Sequence, residues 1–255
     1  MKSIGFAKFI LLAVFLCANS VKAVEPEYFR LVENMIATFK SGNSARISNL
    51  ISYPLRRAYP IPPIGSREEL IARFSEVFDD RLIQMIIDSD IERDWSAVGS
   101  EGIMLLDGTL WLDYNGKIIA VNYESETENA IEARLNVQQK AALHESLKDF
   151  EKPVLEWKTK KFHIRIDDLG DHHYRYASWS VDKLPGQKPD LVLLNGELRF
   201  DGSGGNHAYI FTSGPYRYQC SVIVLGANDS PPGTLEVFKM DRLLLTQPVI
   251  EVLGH

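Results

Sequence analysis

The densest concentration of groups able to bind a metal or move a proton is Asp167-Asp168-Leu169-Gly170-Asp171-His172-His173, where carboxylates and imidazoles fall together at a turn. Zinc needs three or four such donors converging on one point. Successive side chains of an extended strand point to opposite faces, so His172 and His173 do not both turn toward one ion. His163, on the preceding strand, is placed to supply a donor across the hairpin. The candidate metal set is therefore His163, Asp168, Asp171 and His173, against the plainer expectation of a solvated acidic turn.

Other chemistries lack their signatures. A nucleophile-elbow hydrolase needs Gly-x-Ser-x-Gly at a strained strand-to-helix turn, and the sequence has no such spacing. Asp201-Gly202-Ser203-Gly204-Gly205-Asn206 is glycine-rich, but a phosphate cradle is followed by a helix N-terminus. Here His207-Ala208-Tyr209-Ile210-Phe211 reads as a strand, so a hairpin loop is expected. There is no Walker lysine and no cysteine pair with zinc spacing. Cys220, inside the alternating run Tyr216, Tyr218, Cys220, Val222, Val224, reads as a small buried hydrophobe. No catalytic residue is assigned and no cofactor is expected.

The elements that would position any site are read from periodicity. Tyr28, Val32, Met35, Ile36 and Phe39 mark one face of a helix over 26–40, stopped by Gly42. A shorter helix around Ile47, Leu50 and Ile51 follows. Tyr53-Pro54 and Tyr59-Pro60-Ile61-Pro62-Pro63 then force an extended passage. Ser66 with Glu69 forms a capping box, after which an apolar stripe continues from Leu70 to Ile86. Strands are predicted over 98–106, 109–114 and 117–123, joined by hairpin turns at Asp107-Gly108 and Asn115-Gly116. A second capping box, Ser125 and Glu128, opens a predicted helix over 125–150. From Trp157 the pattern is all strand, with turns at Asn195-Gly196, Ser213-Gly214-Pro215 and Pro231-Pro232-Gly233. The expected fold class is α+β: helices covering a curved antiparallel sheet, then a mainly antiparallel β-sandwich or small barrel.

The N-terminal half, about 25–123, resembles the NTF2-like superfamily. The segments that carry the likeness are Tyr53-Pro54-Leu55, Pro60-Ile61-Pro62-Pro63-Ile64 ahead of Ser66-Arg67-Glu68-Glu69-Leu70, and Gly102-Ile103-Met104-Leu105 through Trp111-Leu112. The resemblance implies a cone whose mouth holds a ligand or partner. On it, the candidate ligand-binding residues are Trp95 and Trp111 on the inner face of the sheet, Tyr53 and Tyr59 from the preceding extended segment, and Arg56 and Asp113 as orienting polar groups. Core packing is the competing expectation for the aromatics.

Lys2 and Lys8 precede the apolar run Phe9 to Leu16, which is shorter than the about 20 residues of a membrane-spanning helix and reads as a signal peptide over 1–23. Val21-Lys22-Ala23 offers the preferred cleavage point and Ala18-Asn19-Ser20 a second. Leu16 ahead of Cys17 is too large for lipoprotein processing. The expected organisation is signal peptide 1–23, an NTF2-like domain 24–123, a connecting helix 124–150 and a β-rich domain 151–255, in a periplasmic or secreted protein with no stable membrane anchor after cleavage. The 255-residue chain carries 34 acidic against 28 basic side chains and a net charge of −6, which disfavours nucleic acid as a partner. The functional expectation is an exported accessory protein that binds a small molecule or another envelope protein, of inhibitor or immunity type. The alternative is a lyase or isomerase using a carboxylate such as Asp113, or a Tyr, as acid or base in the cone.

Overall fold

In the computed structural model the chain is described over residues 22–23, 25–202, 205–224, 226–227 and 229–253. The expected signal peptide lies outside the described residues except for Lys22–Ala23, which form a short strand, β1. Among the described residues no helix is long and apolar enough to cross a membrane.

The first half is helical, then a sheet. Helix α1 (Pro26–Lys40) starts on a proline, whose missing N–H is no loss in the first turn, and buries Val32, Met35, Ile36 and Phe39. Asn43 caps α2 (Ser44–Ser48) by accepting from the Arg46 N–H at 3.0 Å. The single helix predicted from Ser66 to Ile86 is in fact three: α3 (Arg67–Ala72), α4 (Phe74–Val77) and α5 (Asp80–Ile87). Arg73 and Phe78 leave the helical region between them, and Asp79 starts α5 afresh by accepting from Leu82 N–H at 2.9 Å. The apolar stripe persists through these breaks because Leu70, Val77, Leu82 and Ile86 all still face one core. A further turn, α6 (Ile91–Asp94), leads into the sheet.

That sheet is an antiparallel meander of β1, β2 (Trp95–Val98), β3 (Gly102–Leu105), β4 (Leu110–Leu112) and β5 (Ile118–Val121) in sequence order. The strand expected over 98–106 is interrupted, because the chain turns between Gly99 and Gly102 and pairs Val98 with Gly102. Gly102 sits at φ 126°, and a Cβ there would lie 2.2 Å from the Leu112 carbonyl oxygen. The turns expected at Asp107-Gly108 and Asn115-Gly116 join β3 to β4 and β4 to β5.

The second half is a closed, eight-stranded, up-and-down antiparallel barrel. Its strands are β6 (Lys152–Thr159), β7 (Phe162–Asp168), β8 (Tyr174–Ser180), β9 (Leu191–Phe200), β10 (His207–Ser213), β11 (Tyr216–Val222), β12 (Gly233–Lys239) and β13 (Arg242–Val252), with β13 returning to β6. Closure leaves no unpaired edge. At eight strands the interior is just wide enough for side chains, and it is filled by Trp157, Ile164, Ile166, Tyr176, Phe211, Cys220 and their neighbours. Each such buried side chain contributes roughly 1.5–3 kcal/mol. Asn195-Gly196 is not a hairpin turn: β9 runs straight through it. The pairing Tyr174 to Gly196 and Tyr176 to Leu193 leaves one extra residue as a bulge. Gly196 is required there, since a Cβ would meet the Phe211 ring at 2.2 Å.

Between the halves runs α7 (Glu126–Ala142), capped by Ser125, whose hydroxyl accepts from Glu128 N–H at 3.0 Å. It ends at Ala142, not near 150. Leu143 turns extended, its neighbour's N–H bonds the Pro185 carbonyl, and a 3₁₀ turn over Glu145–Leu147 follows. Leu143, Leu147 and Phe150 keep a helical spacing yet bury themselves on Ala177 and Trp179 of β8. The outer faces of β7 and β8 are therefore covered, and these two strands are buried on both sides.

Candidate functional site

The proline-rich segment forms a loop that leaves the first core and returns to it. Leu55 and Ile64 exchange both backbone hydrogen bonds at 2.9 Å and are fully buried, so they fix the loop's base. Residues 56–63 project from that base toward the mouth of the barrel. A cleft of about 420 Å3 lies between loop and mouth. Pro54, Arg56, Arg57, Tyr59 and Pro63 form one wall, and Leu155, Trp157, His207, Tyr209, Val222 and Val252, with neighbouring barrel-end residues, form the other. Its size falls within the roughly 300–1,000 Å3 of small-molecule sites, and its lining is mainly apolar with a few polar groups, as such sites are.

Neither a protein family, nor a curated protein, nor a solved structure matches the chain.

Arg57 is spent on structure. Its guanidinium donates to Glu128 of α7, through Nε at 2.7 Å and through Nη2, and to the carbonyls of Val121 (2.6 Å) and Tyr123 (3.1 Å). Arg56 is different: it is exposed, and no hydrogen bond or ion pair engages it among the described residues. Tyr59 connects the cleft to a buried polar chain behind it. Its hydroxyl donates to Glu156 Oε2 at 3.0 Å and accepts from Gln139 Nε2 of α7 at 2.9 Å. Burial pushes the Tyr59 phenol up, with the neighbouring Glu156 charge adding to the effect, so it remains a protonated donor.

The chain continues along the outer face of the barrel. Glu156 Oε1 lies 2.7 Å from His163 Nε2, and Oε2 accepts from Arg165 Nη1 at 2.9 Å. Arg165 then donates to Asp167 Oδ1 at 2.8 Å, and Asp167 Oδ2 accepts from Arg175 at 2.7 Å. Arg175 ends the chain on the carbonyls of Leu147 and Asp149. Sheet register places these partners: Glu156 stands opposite Arg165, and Asp167 opposite Arg175. Burial acts to raise the Glu156 carboxyl, but the hydrogen bonds and charges of His163, Arg165 and Tyr59 outweigh it and hold it below the usual range. Two carboxylates face two guanidiniums, which is what lets Arg165 be 1 % exposed.

Of the six ligand-binding candidates, only Arg56 and Tyr59 reach this cleft. Trp95 is fully buried in the first core and donates to Ser89 Oγ at 2.9 Å. Tyr53 packs on the same core, its hydroxyl bonded to the Ser48 carbonyl at 3.0 Å. Trp111 is half-buried with its indole over Gly108. Asp113 organises its turn, accepting from the Asn115 and Lys117 N–H groups at 2.9 and 2.8 Å.

The four metal candidates are not brought together. His163 and Asp168 are five residues apart on one strand, roughly 16 Å and on opposite faces, and His163 is buried against Glu156. Asp168 accepts from Gly170 N–H at 2.8 Å, and Asp171 occupies the positive-φ turn itself. His173 lies exposed at the end of the same turn. Among the described residues no three or more His, Cys, Asp or Glu side chains are grouped to hold a metal ion. Cys220 is fully buried in the barrel, as its strand pattern implied, and burial pushes its thiol up, away from nucleophilic use.

Proposed function

We propose that the protein acts by binding a small, largely apolar molecule in the cleft between the proline-rich loop and the barrel mouth. The observation that carries this reading is the cleft itself: an open apolar volume of about 420 Å3 with Trp157 and Tyr209 on one wall and Arg56 and Tyr59 on the other. The surroundings support it, since hydrogen bonds tie the loop base, α7 and the barrel to one another and so preorganise the walls of the cleft. The likeness of the first half to the NTF2-like superfamily belongs to this proposal, supported by leading helices over a meander, although the cleft lies at the loop and not within the sheet. Export is proposed with it, on the N-terminal sequence pattern alone. Binding is favoured over lyase or isomerase chemistry because Asp113 is committed to its turn and Glu156 to Arg165 and His163.

The test uses N-phenyl-1-naphthylamine, a neutral apolar fluorophore. Titration into the protein is expected to give a saturable fluorescence rise, and Ile223→Trp, which fills the cleft from a half-buried loop position, is expected to weaken it about tenfold or more. Equal binding by both proteins would overturn the cleft as the site.

A further inference from the structure

We propose that the cleft selects an apolar molecule carrying one anionic head group, with Arg56 as the head-group contact. This rests on the cleft being the ligand site.

The argument is one of charge placement. The chain holds 34 acidic side chains and a net charge of −6, yet among the described residues no carboxylate lines the cleft. Both arginines of the loop do. Arg57 is saturated by Glu128 and two backbone carbonyls, so its charge is already compensated. Arg56 has no hydrogen bond or ion pair among the described residues, and it stands on the rim of an apolar volume. The buried acids behind the wall are paired elsewhere, Glu128 with Arg57 and Glu156, behind the Tyr59 phenol, with Arg165, so they do not cancel Arg56. Tyr59 stays protonated and adds no negative charge of its own.

An uncompensated guanidinium beside a greasy surface is complementary to a carboxylate, sulfonate or phosphate joined to an aliphatic or planar body. The body lies over Trp157, Tyr209, Val222 and Val252 while the head stays near solvent at Arg56. A neutral ligand would leave that cation unused, and a cationic one would be repelled by it.

Three probes of equal chain length separate these cases: decanoate, decan-1-ol and decyltrimethylammonium, each displacing the neutral fluorophore. Decanoate is expected to bind tightest, and added salt is expected to weaken it alone. Arg56→Gln, at an exposed position where folding is not at stake, is expected to weaken decanoate about fivefold and leave decan-1-ol unchanged. If decanoate and decan-1-ol compete equally while the fluorophore still binds the wild type and not Ile223→Trp, the head-group inference falls and the cleft stands. If the fluorophore binding is unaffected by Ile223→Trp, the cleft itself falls.

Discussion

Asp167 is enclosed by two guanidiniums, Arg165 through Oδ1 and Arg175 through Oδ2, and is itself fully buried. Removing its charge leaves Arg165 with Glu156 as its one carboxylate partner and Arg175 with backbone carbonyls alone. Asp167→Asn is therefore expected to destabilise the fold by about 3–5 kcal/mol, read as a lower urea midpoint at unchanged slope. Gly196→Ala tests a steric constraint of the same barrel, because its Cβ would overlap the buried Phe211 ring. A loss of about 1–3 kcal/mol is expected in the same assay. The sequence puts Asp167 at the head of an acidic turn and Gly196 in a hairpin turn, and neither role is the one the barrel gives it. Glu156, His163, Arg165, Asp167 and Arg175 all take the outward position of their strands, where alternation predicts solvent. The cover supplied by Leu143, Leu147 and Phe150 is a tertiary fact. The signal that was present is His-x-Arg-x-Asp opposite an alternating acid, an unusually charged row for a strand whose other face is Phe162, Ile164 and Ile166.

At the scale of elements, the strongest local codes were legible. The α1 stripe, the Ser66 and Ser125 caps, the β3–β4–β5 hairpins and the turn at Ser213-Gly214-Pro215 all appear where periodicity and turn chemistry put them. Errors arose where two codes competed. The Leu70 to Ile86 stripe is continuous in its apolar face but broken in its backbone, because Asp79 satisfies a new helix start. Asn195-Gly196 has hairpin chemistry, yet the barrel uses its positive φ at Asn195 for a bulge and the space of glycine for Phe211. The cap of α7 has a weight that can be measured. Ser125 is fully buried, accepts from Glu128 N–H and donates to the Glu76 carbonyl at 2.7 Å, so it fastens the helix to the first core as well as starting it. Ser125→Ala is expected to cost about 1–2 kcal/mol by thermal or urea unfolding, more than an exposed cap would.

For the whole molecule, polar contacts through α7 and the proline-rich loop join the two halves: Arg57 to Glu128, Gln139 to Tyr59, and Tyr59 to Glu156. The sequence suggested two modules with a linker, but the contacts depend on which residues of distant segments meet, and no local pattern encodes that. The same geometry makes the junction acid-sensitive. In the folded state the Glu156 carboxyl is held below the ordinary value of 4.5, so the fold favours its charged form. Its contribution is fully present above about pH 4.5 and disappears as the pH falls through the lower, folded value, because the unfolded chain takes up the proton first. Glu156→Gln is expected to lose about 2 kcal/mol near neutrality, where the carboxylate partners Tyr59, His163 and Arg165. It should also show a shallower fall in melting temperature than the wild type below pH 4.5, since the group responsible for that slope is gone. Parallel melting profiles of the two proteins across that range would show that the junction does not draw its acid response from Glu156.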